Sequence, residues 1–174
     1  MRTCVIGDGG WGTALALPLH ENGHRINVWG PFRENIDATI EFHENKAFLP
    51  GIEIPHDIDW TAEAAEAVTG AEMVVMAVPT KFYAGVASSF GPHIPKAAQV
   101  VSVSKGFDPA TLQRMSELAS RLFPRSSIAV LSGPSHAEEV ARGIPTAVVV
   151  ASDNARQAGA LQEAFGNKRF RVYT

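Results

Sequence analysis

Short apolar runs alternate with stretches of helical periodicity along the whole chain. Thr3, Cys4, Val5 and Ile6 read as a buried strand, and Thr13 to His20 as a helix that Asn22-Gly23 stops, with glycine in the left-handed position. Arg25–Trp29 reads as a second strand closed by Pro31, and Phe32 to His43 as a helix. Residues 45–55, with two prolines and a glycine, read as an ordered loop. A short strand near Ile58–Trp60 follows, and then a helix to about Val68 that Thr61 can cap. Met73–Val78 is continuously apolar up to Pro79, the mark of a strand covered on both faces. Lys81–Phe90 reads as a helix and Val100–Val103 as another buried strand. Asp108-Pro109 resembles a cap with proline at the first helical position and predicts a helix to about Phe123. Ile128–Leu131, Thr146–Ala151 and Phe170–Tyr173 read as strands. His136–Arg142 reads as a short helix, and Ala155–Phe165 as a helix capped by Asp153.

About eight continuously apolar strands alternating with helices predict an α/β, doubly wound, mostly parallel sheet with helices on both faces. Pro18 lies inside the first predicted helix, removes its hydrogen bond to the Ala14 carbonyl, and predicts a kink. The turn between the first strand and helix is Gly7-Asp8-Gly9-Gly10-Trp11-Gly12, a G-x-G-x-x-G. Gly7 permits a tight turn, Gly9 lets the backbone approach a pyrophosphate, and Gly12 lets the helix pack on the strand. The helix N-terminus points unpaired N–H groups and partial positive charge at the same place. Between a strand and a helix, this pattern predicts a Rossmann-like dinucleotide site.

Composition narrows the classes of function. The chain has 174 residues, enough for one domain with a sizeable core, and is 45% apolar and 19% charged. A net charge of −3 argues against nucleic acid as the main partner. Cys4 is the only cysteine, so no internal disulfide forms, and the six histidines show no metal-ligand spacing. No apolar run approaches the roughly 20 residues of a bilayer span, and the first residues lack a signal-peptide layout. These features predict a cytoplasmic protein without metal or membrane insertion.

In a doubly wound sheet, ligands bind at the carboxyl ends of the strands. The loops expected there are Pro79-Thr80-Lys81, Ser104-Lys105-Gly106-Phe107 and Ser132-Gly133-Pro134-Ser135-His136, together with the glycine turn. Lys105 follows an apolar strand and precedes a glycine. It offers a point charge and three donors to an oxyanion, although a solvated surface lysine fits its position equally well. Ser135 with Glu138 three residues on forms a capping box, which alone would explain the serine. No G-x-S-x-G elbow and no phosphate-binding G-x-x-x-x-G-K-[ST] loop occurs, so serine hydrolysis and P-loop phosphoryl transfer lack support.

These segments together resemble the NAD(P)-dependent glycerol-3-phosphate dehydrogenase family. The matching stretches are VIGDGGWGTALA (5–16), NKAFLPGIEIP (45–55), VVMAVPT (74–80), VSKGF (103–107), LSGPSHAEEVARGIPTAVVVAS (131–152) and FRVYT (170–174). The resemblance implies interconversion of dihydroxyacetone phosphate and sn-glycerol 3-phosphate with NAD(P)H, which feeds glycerophospholipid synthesis. It implies cofactor contacts at Gly10, Trp11 and Ala137, beside the Gly7, Gly9 and Gly12 that the glycine spacing already assigns to the cofactor. Lys105 corresponds to a lysine that touches both cofactor and substrate, and Gly133 and Ser135 to substrate-side positions. It implies a phosphorylated small-molecule substrate and is compatible with a homodimer of the full-length enzyme.

The chain departs from the family at two places. After the second strand it has Gly30-Pro31-Phe32, with Arg33 slightly late and no acid before Glu34, so the choice between NAD and NADP stays open. Arg33 tips the expectation slightly towards NADP. In the family, the segment matching 170–174 leads into a helical second domain with the proton-transfer lysine and most substrate-phosphate contacts. Residues 1–174 are therefore expected to be the cofactor domain without that second domain, and inactive alone. Two alternatives are the dinucleotide domain of a 6-phosphogluconate- or ketopantoate-type enzyme and a nucleotide-sensing Rossmann module without catalysis. The LSGPSHAEEV segment argues against the first.

Overall fold

In a computed structural model, residues 1–174 are described throughout. The elements in chain order are β1 (Arg2–Ile6), α1 (Gly10–Glu21), β2 (Arg25–Trp29), α2 (Arg33–Phe42), β3 (Asp59–Thr61), α3 (Ala64–Ala67), β4 (Met73–Met76), α4 (Thr80–Phe90), β5 (Gln99–Ser102), α5 (Met115–Leu122), β6 (Ile128–Ser132), α6 (Ala137–Ala141), β7 (Thr146–Ser152), α7 (Ala155–Phe165) and β8 (Phe170–Tyr173). The eight strands form one sheet in the order β3-β2-β1-β4-β5-β6-β7-β8. β1 to β6 are all parallel, and β7 runs antiparallel to β6. The chain leaves β1 in one direction and returns to it from the other, so a crevice opens between β1 and β4 where ligands bind in such sheets.

The side-chain period of two divides each central strand between two cores. Val5, Met73, Val75 and Val101 face α1 and α7, joining Leu15, Leu19, Leu161 and Phe165. Cys4, Ile6, Val74, Met76 and Val100 face α4 and α5, joining Tyr83, Phe90, Met115 and Leu118. All of these residues are buried, which accounts for the unbroken apolar runs. Burial pushes the Cys4 thiol up to about 12, so it behaves as a small hydrophobe.

The reversal at β7 follows from a short connection. Thirteen residues separate Ser132 from Thr146. A parallel return would need a crossover spanning the sheet, and the five-residue α6 is too short for one. α6 therefore stays at the ligand edge and packs on α1. Although β7 is apolar, it is covered on one face only, leaving Ala147, Val149 and Ala151 exposed.

Four local expectations are corrected. Residues 108–114 are not helical. Asp108 Oδ2 accepts from the Thr111 N–H at 2.9 Å and its hydroxyl at 2.6 Å, Leu112 adopts a left-handed φ of 57°, and α5 begins only at Met115. The aspartate stabilises a local turn that competes with the helix. Thr61 is not the cap of α3: it ends β3, accepts from the Glu63 N–H and donates to Glu66. α7 is capped by Asn154, which accepts from Arg156 and Gln157, instead of Asp153. Ser135 does not cap α6; His136 holds that position, without a side-chain cap. α1 continues through the buried Pro18 to Glu21.

Candidate functional site

The glycine turn lies at the carboxyl end of β1, beside the crevice, and its glycines have different physical causes. Gly7 has φ 116°, and a Cβ there would lie 2.6 Å from the Ala77 carbonyl oxygen after β4. A Cβ at Gly12 would overlap the Gly7 carbonyl oxygen, and one at Gly10 would come within 2.7 Å of the Phe48 carbonyl. These three are glycine because the chain is close-packed around them. Gly9 is different. Its φ of −61° and ψ of 170° suit any residue, and a Cβ there would meet nothing within 4 Å. Gly9 is the N-cap of α1, no side chain caps the helix, and no acid sits in its first turn. The first-turn N–H groups therefore have no side chain to satisfy them, and open space adjoins the N-cap.

A buried polar cluster fixes the turn from below. Asn45, fully buried, donates to the Asp8 carbonyl at 2.7 Å and to the Thr13 hydroxyl at 2.9 Å. Thr13 donates to the same carbonyl at 3.1 Å. Asn45 thus pins the 45–55 loop onto the turn, and Phe48 lies against Gly10. Asp8 is buried and Asn35 of α2 donates to its Oδ2 at 2.8 Å. Burial pushes the Asp8 carboxyl above its usual range, partly offset by that bond.

The expected loops meet at one edge. Trp11 Nε1 donates to the Val103 carbonyl at 3.2 Å, joining the first turn of α1 to the end of β5. Ser104 bonds back to the Val78 carbonyl at 2.5 Å. Lys105 Nζ donates to the Gly133 and Ser135 carbonyls at 3.1 and 2.9 Å and to Ser135 Oγ at 3.0 Å, and lies 5.4 Å from the Trp11 ring centroid. A Cβ at Gly133 would press on the β7 backbone 2.9 Å away, and a Cβ at Gly10 would sit 3.7 Å from that of Ala137. Trp11, Val78, Thr80, Lys105, Ser135 and Ala137 line an open groove of about 440 Å³, within the size range of small-molecule sites.

Of the candidate residues, Gly7, Gly9, Gly10, Trp11, Gly12, Lys105, Gly133, Ser135 and Ala137 are brought together. Arg33 stands apart at the start of α2, exposed and paired with the exposed Glu63. Asn45, Asn35 and the Asp8 carboxylate were not singled out in advance. Asn45 opens a loop that the sequence marks only as ordered, and its full burial reveals its part.

Strand order, an uncapped glycine turn at the reversal of that order, and a lysine-lined groove define a dinucleotide-binding domain of the Rossmann type. Residues 2–158 match the family described as NAD-dependent glycerol-3-phosphate dehydrogenase N-terminus. A glycerol-3-phosphate dehydrogenase [NAD(P)+] of Bacillus velezensis is 47% identical over 99% of this chain and 51% of its own length, and that of Bacillus subtilis is 43% identical over 99% and 51%. The crystal structure of glycerol-3-phosphate dehydrogenase from Coxiella burnetii superposes with a TM-score of 0.93 at 29% identity, covering 99% of this chain and 53% of that one. The chain belongs to the NAD-dependent glycerol-3-phosphate dehydrogenase family and corresponds to its N-terminal domain. It spans about half the length of the curated relatives it matches.

Proposed function

We propose that this chain binds NAD or NADP across the Gly7–Gly12 turn, as the cofactor half of an enzyme interconverting dihydroxyacetone phosphate and sn-glycerol 3-phosphate. The observation that carries the reading is Gly9. Neither backbone conformation nor packing demands glycine there, yet the space beyond it borders the uncapped first turn of α1. A pyrophosphate approaching those N–H groups supplies the missing reason. Gly10, Trp11, Gly12 and Ala137 complete that wall, and Gly7 shapes it. When bound, the nicotinamide supplies the hydride chemistry.

Lys105 is proposed to face the substrate. Its charge is fixed at the groove by the Gly133–Ser135 loop, and a phosphorylated, carbonyl-bearing substrate offers acceptors for which one of its three donors can be exchanged. Gly133 and Ser135 hold that loop on the substrate side. Proton transfer and closure over the substrate are assigned to the remaining half of the full-length protein, because hydride transfer needs a donor near the carbonyl oxygen and exclusion of water. A homodimer of that protein, cytoplasmic residence and independence of nucleic acid belong to the same reading. The homodimer rests on the family resemblance alone; the other two are supported by the net charge of −3, the buried lone thiol and the absence of a helix long and apolar enough to cross a membrane. The expected lean towards NADP rested on Arg33, whose guanidinium is engaged by Glu63. That pair is exposed on both sides, so it weakens the ground for the lean without removing it.

The test is a fluorescence titration of the 174-residue chain with NADH and NADPH. Saturable binding of at least one is expected, with no absorbance loss when dihydroxyacetone phosphate is added. Absence of binding by both overturns the reading, and sustained turnover overturns the assignment of proton transfer to the other half.

A further inference from the structure

In folds of this kind an acid about 20 residues beyond the glycine turn, at the end of the second strand, accepts hydrogen bonds from the ribose of the adenosine half. Here that position is Gly30, followed by Pro31 and Phe32. β1 and β2 are adjacent and parallel, with Ile6 opposite Trp29 and the Gly7 N–H bonded to the Trp29 carbonyl at 2.9 Å. Continuing that register puts Gly7 opposite Gly30, and Asp8 follows Gly7 directly. A Cβ on Gly30 would overlap the Asp8 carboxylate itself. The carboxylate occupies the space from which a side chain at position 30 would start, so the acid missing after β2 is delivered to the same place from the turn after β1.

Folding does not explain this acid. Asp8 is only 3% exposed, no cation pairs with it, and burial raises its pKa, so an ionised carboxylate here carries a desolvation cost that the Asn35 bond offsets only in part. Its anchoring leaves capacity for a ligand. A carboxylate has about four acceptor sites. Asn35 fills one of them. The only base at the start of α2, Arg33, is paired with Glu63, leaving no unpaired cation there for a 2′-phosphate.

We propose that the Asp8 carboxylate, seated against Gly30 at the carboxyl end of β2 and held by Asn35, accepts the adenosine ribose hydroxyls and selects NAD over NADP by repelling a 2′-phosphate. This rests on the dinucleotide reading above. Asp8 and Gly30 form a matched pair, because either a side chain at 30 or a carboxylate at 8 fits the space, but not both.

The experiment is to measure dissociation constants of NADH and NADPH by fluorescence for the wild-type chain, Asp8→Asn and Asp8→Ala. Competition by 5′-AMP and adenosine 2′,5′-bisphosphate on the wild type supplies a readout that requires no variant. The wild type is expected to prefer NADH by about tenfold or more, the scale of one charge-assisted hydrogen bond, and 5′-AMP to compete better than the bisphosphate. Asp8→Asn, which keeps shape and loses charge, is expected to reduce the NADH preference by about tenfold, mainly through tighter NADPH binding, and Asp8→Ala to do the same. A wild type that binds NADPH as well as NADH, or a folded Asp8→Asn with an unchanged ratio, overturns the proposal while leaving the dinucleotide site standing. Binding of neither cofactor overturns both.

Discussion

Lys105 gives all three of its protons to the Gly133–Ser135 loop, and that loop is held at its other side by the close approach of Gly133 to β7. Removing the ammonium releases three hydrogen bonds and the charge that faces the groove. In the full-length enzyme, Lys105→Ala is expected to lower kcat/KM for dihydroxyacetone phosphate by tens- to hundreds-fold, the equivalent of losing about 1.5–3 kcal/mol of charge-assisted contact. Steady-state kinetics check this, and a near-normal value denies the lysine its substrate role. The position of Lys105 after an apolar strand and before a glycine was legible in the chain. Its partner was not: Ser135 with Glu138 matched a capping box, yet Ser135 Oγ turns to Lys105 instead, because the loop and the lysine come together only when β5 and β6 pair. Local spacing describes what a side chain could do nearby and is silent about partners 30 residues away.

At the level of elements, periodicity was informative wherever a segment packs against the sheet. Arg25–Trp29 and Phe170–Tyr173 form strands with the expected bounds, and the long apolar runs of β4 and β5 lie between two cores. It failed where a polar side chain decided the local backbone. Asp108-Pro109 has the composition of a helix start, but the Asp108 carboxylate closes a turn on Thr111, and Leu112 in a left-handed conformation ends any helical path. The 45–55 loop was legible as ordered, whereas the reason for its order is Asn45, buried beneath the glycine turn. Asn45→Ala leaves the Asp8 carbonyl and the Thr13 hydroxyl each without one partner. It is expected to lower stability by about 1–3 kcal/mol. Urea unfolding checks the size, and an unchanged midpoint shows that the loop is held by other contacts.

Across the whole molecule, the doubly wound sheet could be foreseen because continuous apolar strands separated by helices have few other ways to bury both faces. The strand order and the reversal at β7 could not, since they depend on whether the connection after β6 can cross the sheet. The same reversal leaves Val149 and Tyr173 half exposed on the outer face of β7 and β8. The site as a whole was legible as a set of loops at one edge, because parallel topology places every carboxyl end there. What remained hidden was the division of labour among the glycines. Gly7 and Gly12 answer to packing, and Gly9 answers to nothing within the chain. The most direct measurement therefore compares the 174-residue wild type with Gly9→Val, following thermal unfolding and NADH and NADPH fluorescence on the same samples. Gly9→Val is expected to unfold cooperatively near the wild-type temperature, since its side chain enters open space, and to bind neither cofactor measurably. A folded Gly9→Val that binds both cofactors with wild-type affinity would contradict the account.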